Sequence, residues 1–178
     1  AVTPGPNNVM LTTTGLNFGV RRGMPHLFGI VIGFPVMLAL IGLGFGTLFQ
    51  LFPLLHEAIK IVGVIYLVYL AWKIANAEGA SSEVVATRPI SFWQSAAFQW
   101  INPKAWIIAV GIVAAYMPSG DYVTTLLAVT VFCWLINYPT ISLWVLFGSA
   151  LRQVLAEPRR LRAFNVMMAI LLVASLYP

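Results

Sequence analysis

The chain has 178 residues, of which 60% are hydrophobic and only 8% charged, and its mean hydropathy is +0.90. An ordinary soluble domain carries about 25% charged residues, and a soluble protein of this size cannot hide so much apolar surface, so the composition excludes a soluble domain and calls for an all-α, polytopic membrane protein embedded in a lipid bilayer. The net charge of +5, from ten Lys+Arg against five Asp+Glu, would suggest nucleic acid in a soluble protein, but here the basic residues fall between apolar runs, where membrane topology accounts for them and no nucleic-acid partner is expected.

Six apolar spans are predicted. Span 1 is residues 1–20, an uncharged segment opened by Thr3-Pro4-Gly5-Pro6-Asn7-Asn8 and closed by Arg21-Arg22-Gly23. Each proline lacks an N–H and biases its predecessor away from the helical region, so a continuous helix through this stretch is not expected. The chain opens on Ala1 inside this apolar segment, and the first helix is read as truncated; the end at Tyr177-Pro178 also falls in an apolar run. Thr12, Thr13, Thr14 and Asn17 are polar for a lipid-facing helix and predict a face turned toward other helices or water. Span 2, residues 27–55, has no charged side chain. Its Gly29–Gly33 pair offers a small face for close packing, and Pro35 is expected to kink it by freeing the carbonyl of Val31.

Span 3 covers about 58–76, flanked by Lys60 and Lys73 and followed by a small polar loop, 77–90. Span 4, about 91–117, is interrupted at Asn102-Pro103-Lys104, and a straight reading places Lys104 at mid-span. Span 5, residues 122–151, is uncharged, and Asn137-Tyr138-Pro139 makes a polar, kinked point near its middle. A basic loop, Arg152 to Arg162, leads to span 6, which starts near Arg162.

Arg21, Arg22, Lys73, Arg88, Arg152, Arg159, Arg160 and Arg162 lie at the odd loops, and only Lys60 lies near an even one. This bias puts the odd loops in the cytoplasm and both termini outside. The whole chain, 1–178, then reads as a single transmembrane transporter domain with half repeats at about 1–76 and 91–178. Three spans per half make the halves inverted repeats, each opening with a helix broken at Pro and Asn, helices 1 and 4. Paired broken helices of this kind point to a transporter binding site.

The substrate-binding candidates follow from that pairing: Pro4, Gly5, Pro6, Asn7 and Asn8 on one wall, Asn102, Pro103 and Lys104 on the other, with Asn137 between them. The alternative for Pro4 to Asn8 is a plain helix start, with proline in the first turn and Asn as cap. An ammonium near the bilayer centre costs about 2.5–3.5 kcal/mol even on lenient insertion scales, which marks Lys104 as functional; the alternative is a lysine snorkelling to the surface. No acidic residue lies within a span, so the partner expected for Lys104 is the Gln99 carbonyl freed by Pro103 or a substrate carboxylate. Asn137 reads equally as an interhelical hydrogen bond or a ligand contact. His26 and His56 sit at span ends, where no special role is expected, and Cys133 reads as a small packed residue.

Thr3-Pro4-Gly5-Pro6-Asn7-Asn8, Tyr66-Leu67-Val68-Tyr69-Leu70-Ala71-Trp72-Lys73 and the stretch from Phe92 through Asn102-Pro103-Lys104 together resemble the LysE/RhtB family of bacterial amino-acid exporters. The likeness runs over nearly the whole chain, to Asn165, and Pro89-Ile90-Ser91-Phe92-Trp93 with Gln99 looks nearest to the cysteine and O-acetylserine exporter branch. The chain departs from the family in lacking an apolar half-span ahead of the first motif. The resemblance implies a bacterial cytoplasmic (inner) membrane protein that exports amino acids or close derivatives, driven by the proton gradient. For such a zwitterion the carboxylate is expected near Lys104 or a helix N-terminus, and the ammonium near carbonyls freed at the breaks, with Asn7 and Asn8. A homo-oligomer is compatible with this reading.

Other classes fare worse. A single cysteine permits no thiol–disulfide electron carrier and no metal site of Cys/His type, and no cofactor is implied. No span holds paired acids or a nucleophile with a base, so no enzyme is expected. A passive channel or facilitator for small zwitterionic metabolites stays as the alternative to a carrier.

Overall fold

A computed structural model describes residues 5–45, 51, 53–76, 88–117, 121–155 and 157–175. Every regular element among them is helical: α1 (Pro6–Leu40), continued by a π-helical segment (Ile41–Phe45), then α2 (Pro53–Ala75), α3 (Phe92–Ile101), α4 (Pro103–Tyr116), α5 (Tyr122–Val154) and α6 (Pro158–Ala174). By length and composition, three stretches among the described residues suffice to cross a membrane, Pro6–Gly44, Glu57–Ala75 and Tyr122–Arg152, and a fourth is counted if α3 and α4 form one bent span.

The first of these is two arms rather than one rod. Gly19 takes φ 76° and ψ 173°, outside the helical region and open mainly to glycine. Twelve residues of straight helix would separate Thr14 from His26 by about 18 Å, yet their side chains meet at 2.9 Å. Leu11 likewise shares a core cluster with Leu27, Ile30 and Val31. The chain therefore reverses at Gly19, two residues before the turn expected at Arg21-Arg22-Gly23, and Arg21 and Arg22 stand exposed at the start of the second arm. Helical dihedrals run on through Pro25 and Pro35, so Pro35 leaves no break in φ and ψ.

Other boundaries move for local reasons. α2 begins at Pro53 and α6 at Pro158, several residues ahead of the expected starts. Proline fits the first helical position, where its N–H would have no partner and its φ is already helical. The arginines at 159, 160 and 162 thus belong to the opening turns of α6 rather than to a loop. α3 opens with a capping box: Gln94 N–H donates to Ser91 Oγ at 3.2 Å, and Ser91 N–H donates to Gln94 Oε1 at 2.9 Å. Most of the loop expected at 77–90 lies outside the described residues.

The first arm of α1 is the buried centre. Val9, Met10 and Leu16 pack with Phe98 of α3, Leu67 and Ala71 of α2, and Phe164, Met168 and Leu172 of α6. Its other side joins the second arm and Ile141 and Val145 of α5. A separate cluster ties Met37, Leu38 and Ile41 to Ala105 and Ala109 of α4. Outward-facing apolar side chains such as Ile107, Leu127, Phe132, Leu135 and Leu143 are exposed, as lipid contact requires.

Glycines set how closely these helices approach. A Cβ on Gly15 would meet the Val145 carbonyl, and one on Gly148 would meet the Thr12 carbonyl, so α1 and α5 interlock backbone to backbone. The Gly29–Gly33 face seats Phe92, Ser95 and Ala96 of α3. Gly111 of α4 has nothing within 4 Å of a built Cβ. Gly148→Ala is therefore expected to cost about 1–3 kcal/mol through overpacking and to lower the unfolding midpoint in detergent. Gly111→Ala is expected to be neutral or to stabilise by up to about 1 kcal/mol through helix propensity.

Candidate functional site

Between α3 and α4 the helix axis bends by 68° at Asn102. Asn102 is extended, with φ −85° and ψ 108°, because Pro103 disfavours the helical region for its predecessor. The backbone groups at the bend find partners close by. Asn102 N–H donates to the Gln99 carbonyl at 3.4 Å, and the Trp106 indole N–H donates to the Trp100 carbonyl at 2.8 Å. Asn102 Oδ1 accepts from Lys104 N–H at 3.2 Å, and its carbonyl accepts from Ala105 and Trp106. The Gln99 carbonyl, expected to serve Lys104, accepts from Asn102 N–H. The Ile101 carbonyl sits against Gly63 of α2, where a Cβ would collide with it.

This bend faces the start of α1 across a cavity of about 90 Å³. Gly5, Pro6, Asn7 and Asn8 line it from α1, Asn102 and Lys104 from the bend, and Asn137 from α5. Its apolar side is Phe34, Ala105, Ile108 and Ile141. Seven of the nine residues predicted from sequence therefore meet in one place. Pro103 begins α4 beside the cavity without lining it, and Pro4 lies outside the described residues, as does any break there. Within the described residues the first motif is a helix start, with Gly5 extended and Pro6 first in the helix.

Two helix N-termini, those of α1 at Pro6 and α4 at Pro103, border the cavity, each presenting its positive dipole end. The half-buried Lys104 adds a full charge, and no Asp or Glu is among the lining residues described. Its side chain lies along Gly5: a Cβ there would sit 2.9 Å from Nζ and 3.0 Å from Cδ. Glycine at this position lets the lysine cross the start of α1. The cavity thus combines a cationic lining at Lys104 and the two helix starts with apolar side chains from Phe34, Ala105, Ile108 and Ile141.

Asn7 has a partner that sequence reading passes over. Its Nδ2 donates to Gln99 Oε1 at 2.8 Å, and Gln99 Nε2 donates back to Asn7 Oδ1 at 3.1 Å and to the Ser95 carbonyl at 2.9 Å. Gln99 is fully buried. The pair latches α1 to α3, so the Asn7 amide is engaged by protein rather than offered to a ligand in this conformation. A signal was present: Ser95, Gln99 and Asn102 recur at helical spacing on one face of an otherwise apolar helix.

His26 also differs from its expected place at a span end. It is fully buried between the two arms of α1, sharing a hydrogen bond with Thr14, and its Nε2 has no partner among the described residues.

An all-helical chain with several helices long and apolar enough to cross a bilayer defines a multi-pass membrane protein. The family model described as LysE type translocator matches residues 1–174, and the chain belongs to that family: it is a translocator, not an enzyme. It is 30% identical over 175 residues to the cysteine/O-acetylserine efflux protein of Escherichia coli (strain K12), covering 97% of this chain and 88% of the relative. Against the protein of the same description from Salmonella typhi the identity is 32% over 177 residues, with the same coverage. No solved structure matches.

The latch is open to a double-mutant cycle. Asn7→Ala and Gln99→Ala are each expected to lower stability in detergent, with a coupling energy of about 0.5–3 kcal/mol. Additive effects would mean that the two amides do not depend on each other.

Proposed function

We propose that this chain is a secondary transporter of the bacterial inner membrane that exports small neutral amino acids or close derivatives, driven by the proton gradient. The observation that carries the reading is the convergence of Gly5, Asn8, Asn102, Lys104 and Asn137 on one cavity. In this proposal the substrate carboxylate is held by Lys104 and the N-terminal ends of α1 and α4. The ammonium is held by the amide oxygens of Asn8 and Asn137. The side chain rests on Phe34, Ile108 and Ile141, which suits a small, uncharged group such as those of cysteine and O-acetylserine, the compounds in the relatives' names. Pro4 and Pro103 shape the two helix starts rather than touch the cargo.

The architecture we infer is one transmembrane domain of six spans in two inverted three-helix halves, with the odd loops cytoplasmic and the termini outside. The reversal of α1 at Gly19 supports counting its arms as two spans, and the 68° bend at Asn102 supports a broken fourth. Asn137 lies near the middle of the 33-residue α5, which supports a site at mid-membrane. Arg152 approaches the Gly19 turn, so that three basic positions, with Arg21 and Arg22, gather at one end.

In reconstituted vesicles Lys104→Ala is expected to weaken apparent substrate affinity about tenfold or more, the scale of a lost charge-assisted hydrogen bond. Efflux and affinity left at the parent level would remove Lys104 from the site. Gly5→Ala pushes the flexible Lys104 head aside rather than the backbone, so it is expected to impair transport while the unfolding midpoint changes little. Dissipating the proton gradient is expected to slow efflux, and trans-stimulation in a counterflow assay separates this carrier from a passive pore.

A further inference from the structure

α6 has two unlike faces. Phe164, Asn165, Met168, Ala169 and Leu172 are buried, and the four apolar ones join the cluster shared with α2. The opposite flank carries Arg159, Arg162, Ala163, Val166, Met167 and Ile170, all exposed, and they line an open trough of about 610 Å³. Its chemistry is ordered along the helix, with two guanidiniums first and only apolar side chains after them.

The two arginines are available. Arg160 pairs with Glu157 at 2.8 Å and does not line the trough. Arg159 and Arg162 form no ion pair among the described residues. At a spacing of three they are neighbours on the helix surface, about 5–6 Å apart at Cβ, and two guanidinium forks at that separation fit the oxygens of one phosphate. From Arg162 to Ile170 the helix rises about 12 Å, close to one leaflet of a hydrocarbon core roughly 30 Å thick. Ala163 is the only small side chain lining the trough.

We propose that this flank of α6 is a binding site for one anionic phospholipid. Arg159 and Arg162 hold the headgroup phosphate, and an acyl chain lies along Ala163, Val166, Met167 and Ile170. The site stands on the membrane placement of α6 and is separate from the cavity at Lys104, so it holds or fails whatever the cargo.

The test is native mass spectrometry of the purified protein in neutral detergent, titrated with phosphatidylglycerol or with phosphatidylcholine of the same acyl chains. Phosphatidylglycerol is expected to bind about tenfold or more tightly than phosphatidylcholine. The Arg159→Gln/Arg162→Gln double variant is expected to abolish that preference, and Arg159→Lys/Arg162→Lys to keep most of it. Ala163→Trp fills the trough at an exposed position and is expected to weaken phosphatidylglycerol binding with both arginines in place. A preference that survives the glutamine variant overturns the site. So does competition by inorganic phosphate alone at equal potency, which would mean an ion site without a lipid chain. A dimer that Ala163→Trp dissociates would make a second copy the occupant instead.

Discussion

In hydrocarbon a backbone N–H or C=O without a partner has no water to turn to, and each such group costs several kcal/mol. The bend at Asn102 exists under that constraint. Pro103 breaks the helix, and groups left over at the break are taken by Asn102 and by the Trp106 indole, while Gly63 leaves room for the Ile101 carbonyl. With Asn102 hydrogen-bonded on both sides of the break, the bend turns Lys104 and the start of α4 toward the start of α1. The cavity is a consequence: two helix starts, each opened by proline, face each other across a small space that neither fills.

Holding those starts in place falls to contacts with almost no side-chain volume. Gly15 and Gly148 let α1 and α5 touch through their carbonyls, and Gly29 and Gly33 do the same for α1 and α3. In lipid the gain from helix association comes from packing and hydrogen bonds rather than from excluding water, so close approach matters more than apolar bulk. The Asn7–Gln99 amide pair adds direction to that packing, because reciprocal hydrogen bonds fix one rotation and one depth of α1 against α3.

The same latch also sets which groups reach the cavity. Asn7 sits at the cavity with its amide committed to Gln99, whereas Lys104 reaches across Gly5. The two motif residues therefore divide the labour: Asn7 ties the first helix to α3, and Lys104 supplies charge. Any motion that parts the start of α1 from α3 must break the amide pair, and doing so would free Asn7 toward the cavity. His26 and Thr14, buried nearer the turn of the same hairpin, form a polar pair between the arms.

Composition alone made this a membrane protein, since so few charges leave no soluble alternative. Local pattern also picked out the polar positions that line the cavity, because Asn7, Asn8, Asn102, Lys104 and Asn137 stand out in apolar runs where each must be satisfied. Only the tertiary structure decided which of them meet and how. The reversal falls at Gly19 and not at the arginines because a positive φ is needed there, and several glycines nearby would have served equally on sequence grounds. Gln99 lies 92 positions from Asn7, and nothing in either segment encodes their mutual rotation. Residue type is set by environment and is legible one turn at a time, whereas partner choice depends on the depth and angle at which whole helices pack, and those are properties of the assembled fold.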